Sequence, residues 1–296
     1  MARLLYEKIN FFGYCIHKNS SDQLHCIYSI GTLPSNARFF TSDAQSMYTN
    51  IDTKIGIQAF RDIFATFSEK IPDNLPQDLF LTILELVMRN NIFAFGDTTW
   101  IQLTGIAMGT SCACMYATLT YAYHEETMLL PTYKPYLLLY TRFIDDIFGI
   151  WVGSIEKFEE FKNSLNFCGL TWDTTSLSHT CNFLDLTLTI ESTMSISTKT
   201  YQKLMNLYLY LPSTSSHPPG ALKGLVTGNL LRYWKQNTHH HDFIYIVTLF
   251  IRRLMPRGNV LATLTPIFEE ASSHIKSLNN KTVPFVTGVY FIVYNT

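Results

Sequence analysis

A pair of adjacent acids interrupts the most apolar stretch of this chain, residues 135–152. Residues 137–143 and 147–152 are rich in β-branched and aromatic side chains, and they flank Ile144-Asp145-Asp146. This pattern predicts a strand, a tight turn and a returning strand, with both carboxylates at the tip of the hairpin. Because an unpaired charge beside apolar strands is costly, these acids need a cation or hydrogen-bond donors.

Asp43 is a third acid in similar surroundings, since it ends the short apolar run of residues 38–43. Neighbouring residues on a strand point to opposite faces, so at most one of Asp145 and Asp146 shares a site with Asp43, unless the turn brings both inward. Two strand-borne carboxylates together with phosphate oxygens suit Mg²⁺. An Asp-Asp dipeptide alone is more typical of solvated turn acids, so the interpretation depends on the motifs elsewhere in the chain.

Short strands and helices alternate along the chain without an internal repeat, which predicts an α+β fold. Residues 182–190 alternate between polar and apolar side chains and predict a single strand with one apolar face. The stretch from Pro212 to Gly220 is rich in Pro and Ser. It precedes two helical stretches, residues 222–236 and 243–254, so we expect a domain boundary near residue 211.

The formal net charge of −1 over 296 residues conceals two opposite regions. Residues 1–200 contain thirteen Lys and Arg against twenty Asp and Glu, whereas residues 201–258 contain seven against one. This distribution excludes a uniformly basic coat protein and permits an acidic site beside a basic arm. The arm is predicted to bind a nucleic-acid backbone, with a solvated helix face as the alternative; its candidate contacts are Lys223, Arg232, Lys235, Arg252, Arg253 and Arg257.

The chain has six cysteines but no Cys-x-x-Cys pair, so no zinc site is predicted. The N-terminus lacks the apolar segment of a secretory signal, and Arg142 together with the two acids breaks the apolar stretch too often for a membrane span. We therefore expect a nuclear or cytoplasmic protein that does not insert into a membrane.

The order of motifs along the chain resembles the palm domain of reverse transcriptases, most closely that of Penelope-like retroelements. The resemblance covers about residues 30–258, and several blocks in this order are specific although each is weak singly. The matching blocks are residues 42–51 (Asp43 with Tyr48 five residues later), 102–110 (Gly105 to Gly109), 142–151 (Phe143-Ile-Asp-Asp), 182–186 with 198–203, and 206–212 with 217–224.

The resemblance implies a right-hand polymerase fold of the α+β class, in which an antiparallel palm sheet is backed by helices. It assigns residues 1–42 to a remnant of truncated fingers and residues 43–211 to the reverse transcriptase palm. Residues 212–296 would form a helical, partial thumb and a C-terminal tail.

The same resemblance implies that Asp43, Asp145 and Asp146 are the catalytic residues and hold two Mg²⁺ ions, with Mn²⁺ as the alternative ion. The residues alone also allow other interpretations. Tyr48 can be an ordinary half-buried tyrosine, Gly105 and Gly109 can form a helix-start turn, and Lys199 and Lys203 can face solvent. The residues that the resemblance assigns to nucleotide binding are Tyr48, Gln102, Gly105, Met108, Gly109, Lys199 and Lys203.

The function implied by the resemblance is that of a retroelement reverse transcriptase, an RNA-directed DNA polymerase. Its partners would be an RNA or DNA template with a primer, and deoxynucleoside triphosphates. Two departures from the family keep an alternative open: only 42 residues precede Asp43, and Ser111 stands where the family commonly has Pro. That alternative is a catalytically inactive, truncated or domesticated fragment that binds nucleic acid. The oligomeric state does not follow from the sequence.

Overall fold

A computed structural model describes residues 20–71, 73–218 and 220–279 of the protein. They form two compact units, the first comprising residues 34–179 and the second comprising residues 20–33 and the chain from residue 180. The division into residues 1–42, 43–211 and 212–296 stays a prediction; residues 1–19 and 280–296 lie outside the described residues.

Helices and strands alternate through both units, as the sequence pattern predicts. In chain order they are α1 (Ser20–Ile30), β1 (Arg38–Ala44), α2 (Met47–Asn50), α3 (Thr53–Thr66), α4 (Gln77–Arg89), β2 (Ile92–Phe95), β3 (Thr98–Ile101), α5 (Ala113–His124), α6 (Leu130–Tyr133), β4 (Leu137–Phe143), β5 (Asp146–Trp151), α7 (Ile155–Leu165), β6 (Trp172–Thr174), β7 (Thr180–Phe183), β8 (Leu186–Ile190), β9 (Ile196–Thr200), α8 (Ala221–Gln236), α9 (His240–Leu254) and α10 (Leu261–Asn279).

A four-stranded antiparallel sheet with the order β4-β5-β1-β6 forms the centre of the first unit. The predicted hairpin is present: Phe143 pairs with Asp146, so Ile144 and Asp145 alone form the turn. Ile144 has a φ of 56°, a left-handed conformation that two-residue hairpin turns require. The antiparallel sheet with helices confirms the predicted α+β class at this level.

Helices cover one face of this sheet. Phe40 of β1 packs against Phe158 and Phe161 of α7, with ring centroids 5.3 Å apart in both pairs. The helix α7 begins at Ser154, whose hydroxyl accepts a hydrogen bond from the Lys157 backbone N–H at 3.3 Å. Because side chains alternate along a strand, the packing of Phe40 on this side turns Asp43 to the opposite face.

The helix that follows the second motif block is α5, and it continues as a π-helical turn, Glu125–Leu129. This helix is buried almost all round, with Tyr116, Ala117 and Tyr121 fully enclosed. Short π-helical segments inside longer helices are rare and often occur beside functional sites. Here the irregular turn directs the Glu125 carboxylate into the protein interior, where the residue is 1% exposed.

The second unit combines a three-stranded antiparallel sheet, β7-β8-β9, with the helices α8, α9 and α10. The prediction of one strand over residues 182–190 is wrong. Leu184, with a φ of 54°, and Asp185 form a turn, and Phe183 pairs with Leu186 across it. The alternating pattern continues on both sides of the turn, which is why it gave no signal of the break. No helix in the described ranges is long and apolar enough to cross a membrane.

Candidate active site

Three carboxylates lie side by side on the face of the central sheet opposite helix α7. Asp43 is paired in register with Asp146 of β5 on one side and with Asp173 of β6 on the other. Directly opposed residues of antiparallel strands share a face, with Cβ atoms about 5 Å apart. Asp43 is therefore flanked by two acids on the face opposite Phe40.

Asp145 lies in the turn at the end of the same strands. Its backbone carbonyl accepts a hydrogen bond of 2.9 Å from the Ala44 N–H, which joins the turn to the residue after Asp43. Its charge is one of the causes that raise the pKa of Tyr48. The hairpin thus puts Asp146 on the face of Asp43 by register and keeps Asp145 next to it in the turn.

The donor chemistry of this face fits a divalent cation. Asp43 is exposed, and Asp145 and Asp146 are half-buried, so the acids are accessible to solvent and to a ligand. Among the described residues, no group of three or more His, Cys, Asp or Glu side chains is arranged to hold a metal by itself. Mg²⁺ commonly takes one or two protein carboxylates and completes its shell with substrate and water oxygens.

Tyr48, on the short helix α2, has its hydroxyl fixed by a cysteine. The phenol donates a hydrogen bond to Cys114 Sγ at 3.1 Å. Burial raises the pKa of Tyr48 well above its usual value, and the hydrogen bond and the nearby Cys114 and Asp145 raise it further. The ring is therefore a neutral, positioned surface next to the carboxylates.

The second motif block packs directly on the first. The Ile106 N–H donates to the Tyr48 carbonyl at 2.5 Å. Gly105 has a φ of 79°, and a Cβ at this position would lie 2.7 Å from the same carbonyl oxygen. Only glycine fits this close approach of two backbones. Gly105 therefore fixes the position of the Tyr48 backbone.

The other residues of the second block differ in their surroundings. Gln102 donates from Nε2 to the Thr104 carbonyl at 2.8 Å and so stabilises the loop itself. Met108 is 80% exposed. Gly109 has a φ of 100°, and the space where its Cβ would lie is open to 4 Å. Met108 and Gly109 therefore present an open surface to a ligand.

A buried ion pair supports the Asp-Asp turn from below. Arg142 donates from Nε to Glu125 Oε1 at 2.8 Å and from Nη2 to Glu125 Oε2 at 2.6 Å. Its Nη1 donates to the carbonyl of Ile144 at 2.8 Å, and its Nη2 also donates to Thr118 O at 3.0 Å. Tyr140 donates to Glu125 Oε1 at 2.7 Å. The guanidinium thus holds the turn that contains Asp145.

The electrostatics of this pair keep the Arg142 guanidinium charged inside the protein. Burial alone would lower the pKa of Arg142, but the charge of Glu125 and its hydrogen bonds raise it above the usual value. The guanidinium also lies 5.1 Å from the centre of the Tyr121 ring. A fully buried arginine is stable only with such a complete set of partners.

Lys199 and Lys203 belong to the second unit, where Lys199 is in β9 and pairs with Thr187. Both lysines line a cavity together with Arg253. The structure thus brings two predicted nucleotide-binding residues together with one predicted nucleic-acid contact.

The remaining basic residues of the arm are less uniform than the sequence suggests. Lys223 pairs with Glu270 at 2.6 Å, and Arg232 lies 3.9 Å from Asp185. Arg257 donates from Nε to the Tyr210 carbonyl at 2.7 Å. The acids come from parts of the chain distant in sequence, so the local surplus of charge overstated the number of uncompensated cations. Lys235 and Arg252 are exposed.

Sequence reasoning missed several residues of this site. Asp173 is identified only by its pairing with Asp43, because a three-residue strand is too short to show an alternation of polar and apolar residues. Glu125 is followed directly by Glu126, and nothing in the sequence separates the buried acid from its neighbour. Cys114 accepts the hydrogen bond from Tyr48 at 3.1 Å, and the two residues are too far apart in sequence for a local pattern to indicate the contact.

The fold is similar to that of telomerase. One match is telomerase from Candida albicans in complex with a TWJ fragment of telomeric RNA, with a TM-score of 0.64, 12% identity and coverage of 98% of this chain and 52% of that chain. Another is apo telomerase from Candida tropicalis, with a TM-score of 0.55, 12% identity and coverage of 98% and 53%. The chain spans about half the length of these proteins.

No protein-family model and no curated protein matches the sequence. At 12% identity the structural likeness concerns the fold alone. The chain therefore has a telomerase-like fold, whereas the resemblance to Penelope-like elements stays a prediction.

Proposed function

We propose that this protein is the polymerase core of a retroelement reverse transcriptase that transfers nucleotides to a primer 3′-hydroxyl. The observation that carries the proposal is the register of Asp43 opposite Asp146, beside the turn that contains Asp145. A telomerase-like fold and a row of solvent-accessible carboxylates on one face of its sheet support the same reaction. The ordered motif blocks of the sequence support RNA-directed DNA synthesis in particular.

Each residue has a chemical role in this reaction. Asp43, Asp145 and Asp146 would hold two Mg²⁺ or Mn²⁺ ions. When bound, such ions supply charge neutralisation at the phosphates and activation of the attacking hydroxyl. Tyr48, kept neutral and fixed by Cys114, would present its ring to the sugar and reject a 2′-hydroxyl by its bulk.

Template and primer would be held by cations, because a nucleic-acid backbone is read mainly through its charge. The basic arm of residues 201–258 supplies seven Lys and Arg against one acid. A structural neighbour, the Candida albicans telomerase, is in complex with an RNA fragment, which supports RNA as one of the ligands.

Primer extension on the purified chain tests the proposal, with an RNA template, a DNA primer, deoxynucleoside triphosphates, and Mg²⁺ or Mn²⁺. We expect Asp43→Asn, Asp145→Asn and Asp146→Asn each to reduce incorporation at least about a hundredfold, because each removes a charge from the cation-binding face. The matched control is Asp97→Asn, the same change in the turn between β2 and β3, which should leave incorporation unchanged. Circular dichroism checks that each variant folds.

Salt-sensitive binding of template and primer without incorporation under either metal would contradict the proposal. It would favour the catalytically inactive, nucleic-acid-binding fragment. A retroelement origin further predicts several copies of the coding sequence in the source genome, which long-read sequencing counts.

A further inference from the structure

A cavity of about 470 Å³ lies wholly within the second unit. It is bordered by the sheet strands β8 and β9, by the segment that follows β9 and by helix α9. Its volume is in the range of pockets that bind small molecules. Three cations, Lys199, Lys203 and Arg253, line it against a single acid, Asp242. The cavity is therefore suited to an anion.

The cations are not neutralised by neighbouring acids. In the described part of the chain, no carboxylate lies within 4 Å of Lys199, Lys203 or Arg253. Asp242 lies instead 3.4 Å from His241 Nε2. Three positive side chains around one concave space repel each other, and a bound anion would relieve that repulsion.

Arg253 is held ready for a ligand. Its guanidinium lies 3.9 Å from the centre of the Tyr208 ring and donates a hydrogen bond to Gln202 Oε1. A guanidinium has five N–H donors, so this stacked and tethered group keeps donors for a further acceptor. Its geometry is fixed in advance, which reduces the entropy lost on binding.

The backbone of the segment that stacks against Arg253 is strained. Tyr208 has a φ of 48°, which is uncommon for a residue other than glycine. Its backbone N–H donates to Asn206 Oδ1 at 3.0 Å, which holds this conformation. Strained backbone of this kind concentrates at functional sites and ligand clamps.

Aromatic rings complete the lining. Tyr201, Tyr208 and Tyr245 border the cavity, and Tyr245 is 64% exposed. Exposed aromatic rings next to cations suit nucleotides, since a base can stack on a ring while the phosphate contacts the cations.

We propose that this cavity binds one nucleotide, with its phosphate held by Lys199, Lys203 and Arg253 and its base against the exposed tyrosine. The nucleotide is either a free nucleoside monophosphate or one unit of a single strand. The resemblance assigns Lys199 and Lys203 to the nucleotide of the polymerase reaction, whereas both lie in a different unit from the carboxylate row. The proposed site requires no catalysis, so it goes beyond the polymerase function.

Binding of two probes to the whole chain tests the proposal: dAMP by calorimetry, and a fluorescent ten-residue deoxythymidine strand by anisotropy. We expect Lys203→Gln and Arg253→Gln each to weaken binding about tenfold, the loss typical of a charge-assisted hydrogen bond. Lys203 is exposed, so its variant is expected to fold even if the Arg253 variant rearranges the segment. The matched control is Lys157→Gln, since Lys157 does not line the cavity, belongs to no predicted site and pairs with Glu160 at 2.6 Å on the surface.

Weaker binding of both probes identifies a site for free nucleotides, and weaker binding of the strand alone identifies a unit of a nucleic acid. The proposal is overturned if Lys203→Gln binds both probes as the Lys157 variant does, or if the unaltered chain binds neither. Asp145→Asn should bind both probes normally. This last measurement separates failure of the cavity from failure of the polymerase.

Discussion

The two units hold their charged groups in opposite ways. In the first unit, Asp43, Asp146 and Asp173 stand on paired strands, so backbone hydrogen bonds set their spacing. In the second unit, the three cations come from separate elements: Lys199 from β9, Lys203 from the irregular residues 201–218 and Arg253 from α9. Carboxylates on short side chains converge only when the backbone places them, whereas long basic side chains can reach one ligand from separate elements.

The Asp-Asp turn and the cavity also differ in the interactions that hold them in place. The Asp-Asp turn is supported by the buried Arg142–Glu125 pair, which is 0% and 1% exposed. At the cavity, the corresponding contact is the stacking of Arg253 on Tyr208, whose backbone is strained. Substitutions below the carboxylates should therefore affect folding, and substitutions around the cavity should affect binding.

The largest effect is expected from Arg142→Met, which leaves Glu125 charged and buried without its partner. Breaking a buried pair in this way costs about 3–5 kcal/mol. We expect that loss in the free energy of unfolding, measured by urea denaturation. In the double variant Arg142→Met/Glu125→Leu, part of the stability should return, because no buried charge remains.

The control for this prediction is Arg89→Met. Arg89 pairs with Glu85 at 2.8 Å on the surface, with the two side chains 47% and 32% exposed. Exposed pairs contribute less than about 1 kcal/mol. Equal losses in the free energy of unfolding for the two variants would contradict the prediction, because the buried pair would then contribute no more than an exposed one.

Much of the first unit could be predicted from sequence, because its strands carry strong local signals. The turn at Ile144 and Asp145 follows from two apolar runs, and the N-cap at Ser154 follows from its position before an amphipathic helix. The turn at Leu184 could not be predicted, since the alternation of side chains is the same on both sides. Pairings that join distant segments, such as Asp43 with Asp173, carry no local signal at all.

Gly105→Ala should have the next largest effect. The added Cβ would lie 2.7 Å from the Tyr48 carbonyl, at a φ of 79°, and the left-handed conformation alone costs alanine about 1–2 kcal/mol. We expect a loss of about 2 kcal/mol or more in thermal or urea unfolding. Gly109→Ala, with open space around its Cβ, should cost only about 1 kcal/mol. The reverse order would mean that the two motif blocks do not pack as described.

The third prediction concerns the selection of the sugar. Tyr48→Ala should reduce the preference for deoxynucleoside over ribonucleoside triphosphates by about 10–100-fold, the range expected when a pocket loses a steric contact. Cys114→Ala and Tyr48→Phe should each reduce it only a few-fold, because each removes the same 3.1 Å hydrogen bond and keeps the ring. The ratio of kcat/KM for the two triphosphates measures the effect.

A double variant sharpens this test. Because Tyr48→Phe and Cys114→Ala remove one shared interaction, their combined effect should equal either single effect. Additive losses would indicate that Cys114 acts on the substrate by another route.

The smallest effect distinguishes paired from unpaired cations in the second unit. Lys235 is exposed with no carboxylate within 4 Å among the described residues, whereas Lys223 lies 2.6 Å from Glu270. If Lys235 contacts a phosphate, Lys235→Gln should lower the slope of log K against log salt for single-stranded DNA by about 0.7. Lys223→Gln should change it less, since Glu270 already compensates that charge, and Glu270→Gln should increase affinity by releasing the lysine. Equal slopes for the two lysine variants would mean that the strand responds to net charge alone, and that the pairing seen in the structure does not select its contacts.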